Sequence, residues 1–327
     1  RAANISALGC RVVCLGLSEQ GALVRVNVVN SGVEEVAVEA RETFSALELK
    51  KWSKRFPYEY SYTDDPNAFW TSTDELGLTL TGVLATILVM DTRLQVLPPN
   101  LIRVGQDFAG RVMPIASTPS ISWLSAARRV PSPSQGFQIA WIPLGGSDET
   151  ALAWLSERLK DSLDKHRFVL ENGAKLPSYT SGCELVVVAA HGGLLPEKRY
   201  IQRLSGEAEF AIYPSVLASA LACSSVVILF ICSGGRIDSH PQAETTVGLV
   251  KELLNEGCLA VVAPPWPLDV KVPPVWLPRF LEKWSEGATI IDSAFCANAE
   301  VAKSFSGNPV DCLAMNVFGD PLRRRRQ

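Results

Sequence analysis

The sequence predicts an α/β protein: a mostly parallel sheet flanked by helices, preceded by a smaller α/β half. Three observations carry this. Short apolar runs rich in β-branched residues recur through the second half, bounded by glycine, as buried parallel strands are. Stretches with apolar residues at helical spacing separate them, as at Leu152, Leu155, Leu159 and Leu163. The segment Val130-Pro131-Ser132-Pro133-Ser134-Gln135-Gly136 divides that alternation from a differently patterned first part, so the halves are read as residues 1–130 and 131–327.

In the first half, residues 11–17 and 22–29 flank Ser18-Glu19-Gln20-Gly21 and read as a hairpin, with a third strand over 33–38. Helices are expected over 46–54 and 73–85, a strand over 86–90, extended chain over 94–104 and a helix over 120–129. No titratable constellation occurs here, and the aromatic residues read as core. In the second half, strands are expected over 137–142 and 166–170, with Gly145-Gly146-Ser147-Asp148 as a turn and helix cap. The third strand stops at His191-Gly192-Gly193 and the fourth at Cys232-Ser233-Gly234-Gly235, with a helix over 214–222 between them. A helix from 246 to Gly257, a strand over 258–263, helices over 275–284 and 288–303, and a last strand over 311–318 complete the alternation. Strands alternating with helices imply right-handed crossovers and helices on both faces.

Composition narrows the function classes. With 327 residues, 47% hydrophobic and 20% charged, the chain builds a substantial core. A net charge of −3 argues against a nucleic-acid footprint, and Arg323-Arg324-Arg325-Arg326 reads as a solvated tail or a truncation point. Eight cysteines are too sparse for a disulfide scaffold, and none has zinc-site spacing; Cys258 and Cys312 read as small hydrophobes within strands. No apolar run reaches the length of a membrane span and no signal peptide precedes the first strands, so a reducing cytoplasm is the expected compartment. The chain starts at Arg1 rather than methionine, and a longer parent protein is expected.

In an open parallel sheet ligands sit at the carboxyl ends of the strands, where His191 and Cys232 both fall. On neighbouring strands, roughly 5 Å apart, imidazole and thiol come within working range. The imidazole then deprotonates the thiol and later protonates a leaving amine. Gly192 permits a sharp backbone turn, and its N–H together with that of Cys232 would form an oxyanion hole. Either residue alone would read as a strand cap or a buried thiol; both at matching strand ends, each followed by glycine, read as a cysteine-protease dyad. His240, in Asp238-Ser239-His240-Pro241, is the rival base, although a polar loop histidine before proline is ordinarily exposed. His166 precedes a strand and reads as structural. Cys232 and Arg236 enclose three residues where a tyrosine-phosphatase loop needs five. Phe230 stands where a glutamine-amidotransferase elbow needs glycine, and that family places its histidine after the cysteine.

The order strand–His-Gly, helix, strand–Cys-Ser-Gly-Gly resembles the caspase-like cysteine peptidases (caspases, metacaspases, gingipains, separase) and most closely the CHAT domain, a bacterial module. Residues 258–269, ending Pro264-Pro265-Trp266-Pro267-Leu268-Asp269, are similar to that family's fifth-strand motif; Asn316-Val317-Phe318-Gly319-Asp320-Pro321 to its closing strand; and Pro119-Ser120-Ile121-Ser122-Trp123-Leu124 to the element before the catalytic half. Val270-Lys271 departs from it, where the family has a second acidic residue. The resemblance spans nearly the whole chain and implies a non-catalytic, caspase-related half over 1–130 and a catalytic half over 131–327. It also implies Trp266, Asp269 and Asp148 as substrate-pocket residues, an acidic wall favouring a basic side chain, no metal or organic cofactor, a protein substrate and an activating domain or partner, often in bacterial defence or programmed death. The expected activity is a cysteine endopeptidase working through a thioester. The alternatives are a caspase-like interaction module without catalysis and another thiol hydrolase on a similar sheet.

Overall fold

The computed structural model describes residues 5, 9–29, 32–39, 46–56, 67–131, 136–144, 150–177, 180–195, 198–205, 211–240, 243 and 245–325. The first half runs β1 (Arg11–Leu17), β2 (Leu23–Val29), β3 (Gly32–Glu39), α1 (Ala46–Arg55), α2 (Ala68–Leu76), β4 (Thr79–Leu80), β5 (Thr86–Met90), β6 (Arg103–Val104), β7 (Asp107–Phe108), α3 (Ala109–Val112), β8 (Ile115–Thr118) and α4 (Ile121–Ala127). The second runs β9 (Gln138–Trp141), α5 (Thr150–Lys165), β10 (Val169–Glu171), β11 (Leu185–Leu195), β12 (Lys198–Ser205), β13 (Ala211–Ile212), α6 (Pro214–Ala220), β14 (Val226–Ile231), β15 (Asp238–Ser239), β16 (Thr246–Val247), α7 (Leu249–Asn255), β17 (Ala260–Ala263), α8 (Val272–Ser285), α9 (Ile290–Ser304), α10 (Pro309–Cys312) and β18 (Asn316–Gly319).

Among the described residues thirteen strands join one sheet, whose main path is β10-β9-β11-β14-β17-β18-β8-β5-β1-β2-β3. The pairs from β10 to β17 are parallel, as the alternation predicts. β18 runs antiparallel to β17 and parallel to β8, so the last strand of the chain joins the halves into a continuous sheet across the boundary expected near residue 130. A buried amide network reinforces that seam. The Asn100 backbone N–H donates to the Asn316 side-chain oxygen (3.0 Å), and its side-chain amide donates to the Leu313 and Met315 carbonyls (2.9 Å each).

The period-2 alternation of β14 sorts its side chains onto two faces. Val226, Ile228 and Phe230 join one core with the leucines of α5 and the aromatics of α8, while Val227, Leu229 and Ile231 join a second with Leu217 of α6 and Leu249, Val250 and Leu253 of α7. Leu152, Leu155, Leu159 and Leu163 are all buried, contributing about 2 kcal/mol each.

Several expectations are revised. The helix expected over 73–85 starts earlier and ends at Gly77, which caps it in a left-handed conformation (φ 62°). The third strand does not stop at His191: β11 continues to Leu195 and turns back as β12, which pairs with β13. Cys312 lies in a short helix, not a strand. The arginine tail docks. Arg323 is buried, donating to Ser225 Oγ (2.9 Å) and the Val130 carbonyl (2.8 Å) near the buried Asp320, and Arg325 reaches Ser285 Oγ (2.9 Å). Carbonyls at the end of α4 and one buried carboxylate compensate a charge that the sequence alone leaves to solvent. Residues 132–135 of the expected linker and the turn over 145–148 lie outside the described residues. Among the described residues, no helix is long and apolar enough to cross a membrane.

Candidate active site

β11 and β14 are parallel neighbours in a register that ends at Ala190 opposite Ile231. His191 and Cys232 are the next residues on the two strands, and parallel neighbours lie about 4.8 Å apart. At that step β11 changes partner, and His191 pairs with Ser205 of β12. His191 is exposed, while Cys232 is half-buried.

Gly192 lets the two strand ends approach closely. A β-carbon there would lie 2.4 Å from the Cys232 carbonyl oxygen, closer than a side chain permits, and 3.1 Å from its nitrogen. The backbone after the histidine therefore lies directly against the Cys232 peptide. Gly193 meets nothing within 4 Å.

The chain leaves β14 by a tight turn. Ser233 has φ 59°, a left-handed conformation that costs a non-glycine residue about 1 kcal/mol. The Gly234 N–H donates to the Ile231 carbonyl (2.8 Å) and the Arg236 N–H to that of Ser233 (3.0 Å). The turn is pinned to the segment after β17 by Ser233 N–H to the Trp266 carbonyl (3.1 Å) and Gly235 N–H to the Pro264 carbonyl (2.8 Å). That segment reaches the sulfur itself: the Leu268 N–H donates to Cys232 Sγ at 3.5 Å.

The residues expected to shape a substrate pocket are placed differently from one another. Trp266 has no exposed surface. Its Nε1–H donates to the Val310 carbonyl (2.8 Å) and its ring packs on Phe69 and Phe56, with centroids 4.8 and 6.1 Å away, so it supports the loop from within rather than lining an open pocket. Asp269 is exposed, and its Oδ1 accepts the Lys271 N–H (2.8 Å), capping the turn into α8. Asp148 lies outside the described residues.

Beside Asp269 lies a carboxylate that motif reading passes over. Burial pushes the Asp311 carboxyl up from its ordinary value, and the nearby Asp269 charge pushes it the same way, against Asn308 and Lys271. The buried Asp311 thus feels the charge of the exposed Asp269, which follows directly on the segment that touches Cys232.

The other histidines lie elsewhere. His240 lines an open cleft of about 620 Å³ with Glu19, Lys50, Asp91 and Arg93. His166 precedes β10, at the amino edge of the sheet, with Nδ1 3.1 Å from Ser285 Oγ; burial holds its imidazole below the usual value. Among the described residues, no group of His, Cys, Asp and Glu is arranged to hold a metal ion.

Neither a protein-family model nor a curated protein matches the chain. Solved structures do. Separase from Saccharomyces cerevisiae, in its complex with securin, superposes with a TM-score of 0.58 at 12% identity over 97% of this chain. The fold is caspase-like. The Arg-specific cysteine proteinase gingipain R superposes on it with a TM-score of 0.53 at 13% identity, over 88% of this chain and 70% of its own. The chain spans 31% of the separase chain. In this caspase-like fold, His191 and Cys232 occupy the carboxyl edge of the sheet.

Proposed function

We propose that the protein is a cysteine endopeptidase in which Cys232 is the nucleophile and His191 the general base. One observation supports this reading: the β11–β14 register runs to Ala190 and Ile231, the residues just before His191 and Cys232, and the Gly192 backbone lies against the Cys232 peptide. His191 takes the thiol proton, and the sulfur adds to the scissile carbonyl carbon. The Gly192 and Cys232 N–H groups receive the oxyanion. Collapse breaks the C–N bond, the amine leaves with the proton held on His191, and a thioester remains. His191 then deprotonates a water that attacks the thioester, releasing the acid and restoring the thiol.

Asp269 and Asp311 favour a basic side chain before the scissile bond, since an incoming cation offsets two neighbouring carboxylates. In this reading residues 1–130 form the supporting, non-catalytic half. A regulatory protein partner accords with the securin complex of separase, and a role in bacterial defence or programmed death accords with the CHAT resemblance. A catalytically silent module is the second reading, favoured by the Leu268 backbone, whose N–H and carbonyl lie 3.5 and 4.0 Å from the sulfur and cover it.

Labelling with a peptidyl thiol-directed electrophile carrying arginine beside the warhead separates them. Peptide mapping that finds Cys232 modified, with modification lost in His191→Ala, supports the peptidase. If Cys232 labels no faster than the exposed Cys223, the silent module is the better description.

A further inference from the structure

Arg236 lies four positions past Cys232 and is buried, a costly place for a guanidinium unless its donors are met. They are met from two sides. Nε and Nη2 grip the Asp238 carboxylate (2.8 and 2.9 Å), fixing the turn that follows the cysteine. Nη1 donates to the Phe56 carbonyl (2.7 Å) and Nη2 to the Ser53 carbonyl (2.8 Å). These carbonyls close the C-terminal end of α1, where the helix carries partial negative charge and orphan acceptors. A residue of the nucleophile loop therefore caps a helix of the other half, 180 positions away.

The same helix end supports the opposite wall. The Phe56 ring meets Trp266 edge-on at 6.1 Å, and stacks at 4.8 Å on Trp52 of α1. The Trp266 carbonyl holds the Ser233 N–H, and two residues later the Leu268 N–H reaches the Cys232 sulfur. Both loops beside the sulfur, residues 232–236 and 264–268, thus rest on Ser53–Phe56, one through the Arg236 fork and the other through the indole of Trp266.

We infer that Arg236 is a positioning residue that makes the geometry of Cys232 conditional on the end of α1, so that displacing this helix disarms the thiol without touching it. The consequence for reactivity rests on the peptidase reading; the mechanical coupling does not. Only arginine's planar fork serves a carboxylate and two carbonyls together, and lysine keeps the charge but not the fork.

The experiment compares the full chain with Arg236→Lys and Arg323→Lys. Arg323 is a second buried arginine that caps a different helix end, and it controls for loss of stability alone. Hydrogen exchange is followed by mass spectrometry in peptides covering 46–56, 229–240 and 264–270, and labelling by the arginyl electrophile is resolved into a maximal rate and a half-saturating concentration. In Arg236→Lys, exchange rises at least tenfold in all three segments together, and the maximal labelling rate falls at least tenfold with half-saturation within twofold. Arg323→Lys leaves both unchanged. Exchange that rises only in 229–240 overturns the coupling. Coupled exchange with an unchanged labelling rate overturns the positioning role. A parent protein whose Cys232 does not label defeats the peptidase reading, and coupled exchange still supports the clamp.

Discussion

The two edges of the sheet in the second half treat the same residue types in opposite ways. At the amino edge, Cys183 precedes β11, Cys258 precedes β17 and His166 precedes β10; burial pushes the two thiols up to about 11 and about 12 and the imidazole down. Cys258 spends its proton on the Leu221 carbonyl, 3.2 Å away. At the carboxyl edge, His191 is exposed and Cys232 half-buried, with a backbone N–H directed at its sulfur. Side-chain identity is the same at both edges; how the chain enters or leaves the sheet differs. The amino ends are sealed by packed turns, whereas at the carboxyl edge β11 runs on past His191 and β14 leaves by a tight turn, with His191 exposed and Cys232 only partly covered by the Leu268 backbone.

The largest expected break of this contrast is His191→Ala. Loss of the general base lowers labelling of Cys232, and hydrolysis of an arginyl reporter, about 10²- to 10⁴-fold. Cys258→Ala and Cys183→Ala change neither rate by more than about twofold, because buried protonated thiols take no part. Labelling of Cys258→Ala that falls with that of His191→Ala would erase the distinction between the edges.

Next comes the glycine pair. Gly192→Ala forces a methyl to within 2.4 Å of the Cys232 carbonyl, so the strands separate; the expected cost is about 1–3 kcal/mol in denaturant melts, with labelling lost. Gly193→Ala, with open space around it, stays within about 0.5 kcal/mol of the parent. Equal melts for the two variants would show that β11 does not press on the cysteine peptide.

A pH series sharpens the amino edge. A thiol whose folded value is raised to about 12 keeps its proton in the native state, while the unfolded chain releases it near 9. The unfolded state then binds fewer protons across that window, so stability is full below about pH 9 and declines as pH rises toward 12. Urea midpoints should show this decline in the parent protein and a shallower one in Cys258→Ala.

Local patterns made the candidate pair readable. Two apolar runs end in His-Gly and Cys-Ser-Gly-Gly, but Gly192 serves another purpose than the sharp turn expected of it: β11 continues through it, and the missing side chain admits the Cys232 peptide. The continuation of β11 was hidden because glycines normally punctuate a strand, and β12 (KRYIQRLS) has no apolar run to announce it. Asp311 was invisible because its closeness to Asp269 depends on α10 docking under the loop after β17, a tertiary fact. Arg236 spoke in sequence only against a phosphatase loop. Its partners at 53 and 56 belong to a helix in the other half, and no spacing rule reaches that far. Trp266 was legible as a motif residue but not as a buried one, since its ring is claimed by Phe56 and Phe69 from that same half.

The smallest expected effect compares the two ends of β14 directly. Cys223 before the strand and Ser233 after it both adopt left-handed backbone, each with φ 59°. Replacing either by glycine removes a strain of about 1 kcal/mol and adds unfolded-chain entropy of nearly that size, so each variant should gain no more than about 0.5 kcal/mol. Their effects on the thiol should diverge. At the amino edge the turn closes against Gly257 and donates the Cys223 N–H to the Glu256 carbonyl (3.1 Å), far from Cys232 in the strand. At the carboxyl edge the strained serine directs its N–H to the Trp266 carbonyl and so fixes the peptide that follows Cys232. Ser233→Gly should therefore slow Cys232 labelling about threefold to tenfold while Cys223→Gly leaves it unchanged, with midpoints of both matched in urea. Equal labelling rates in the two variants would make the strain at Ser233 a by-product of a tight turn rather than part of the site.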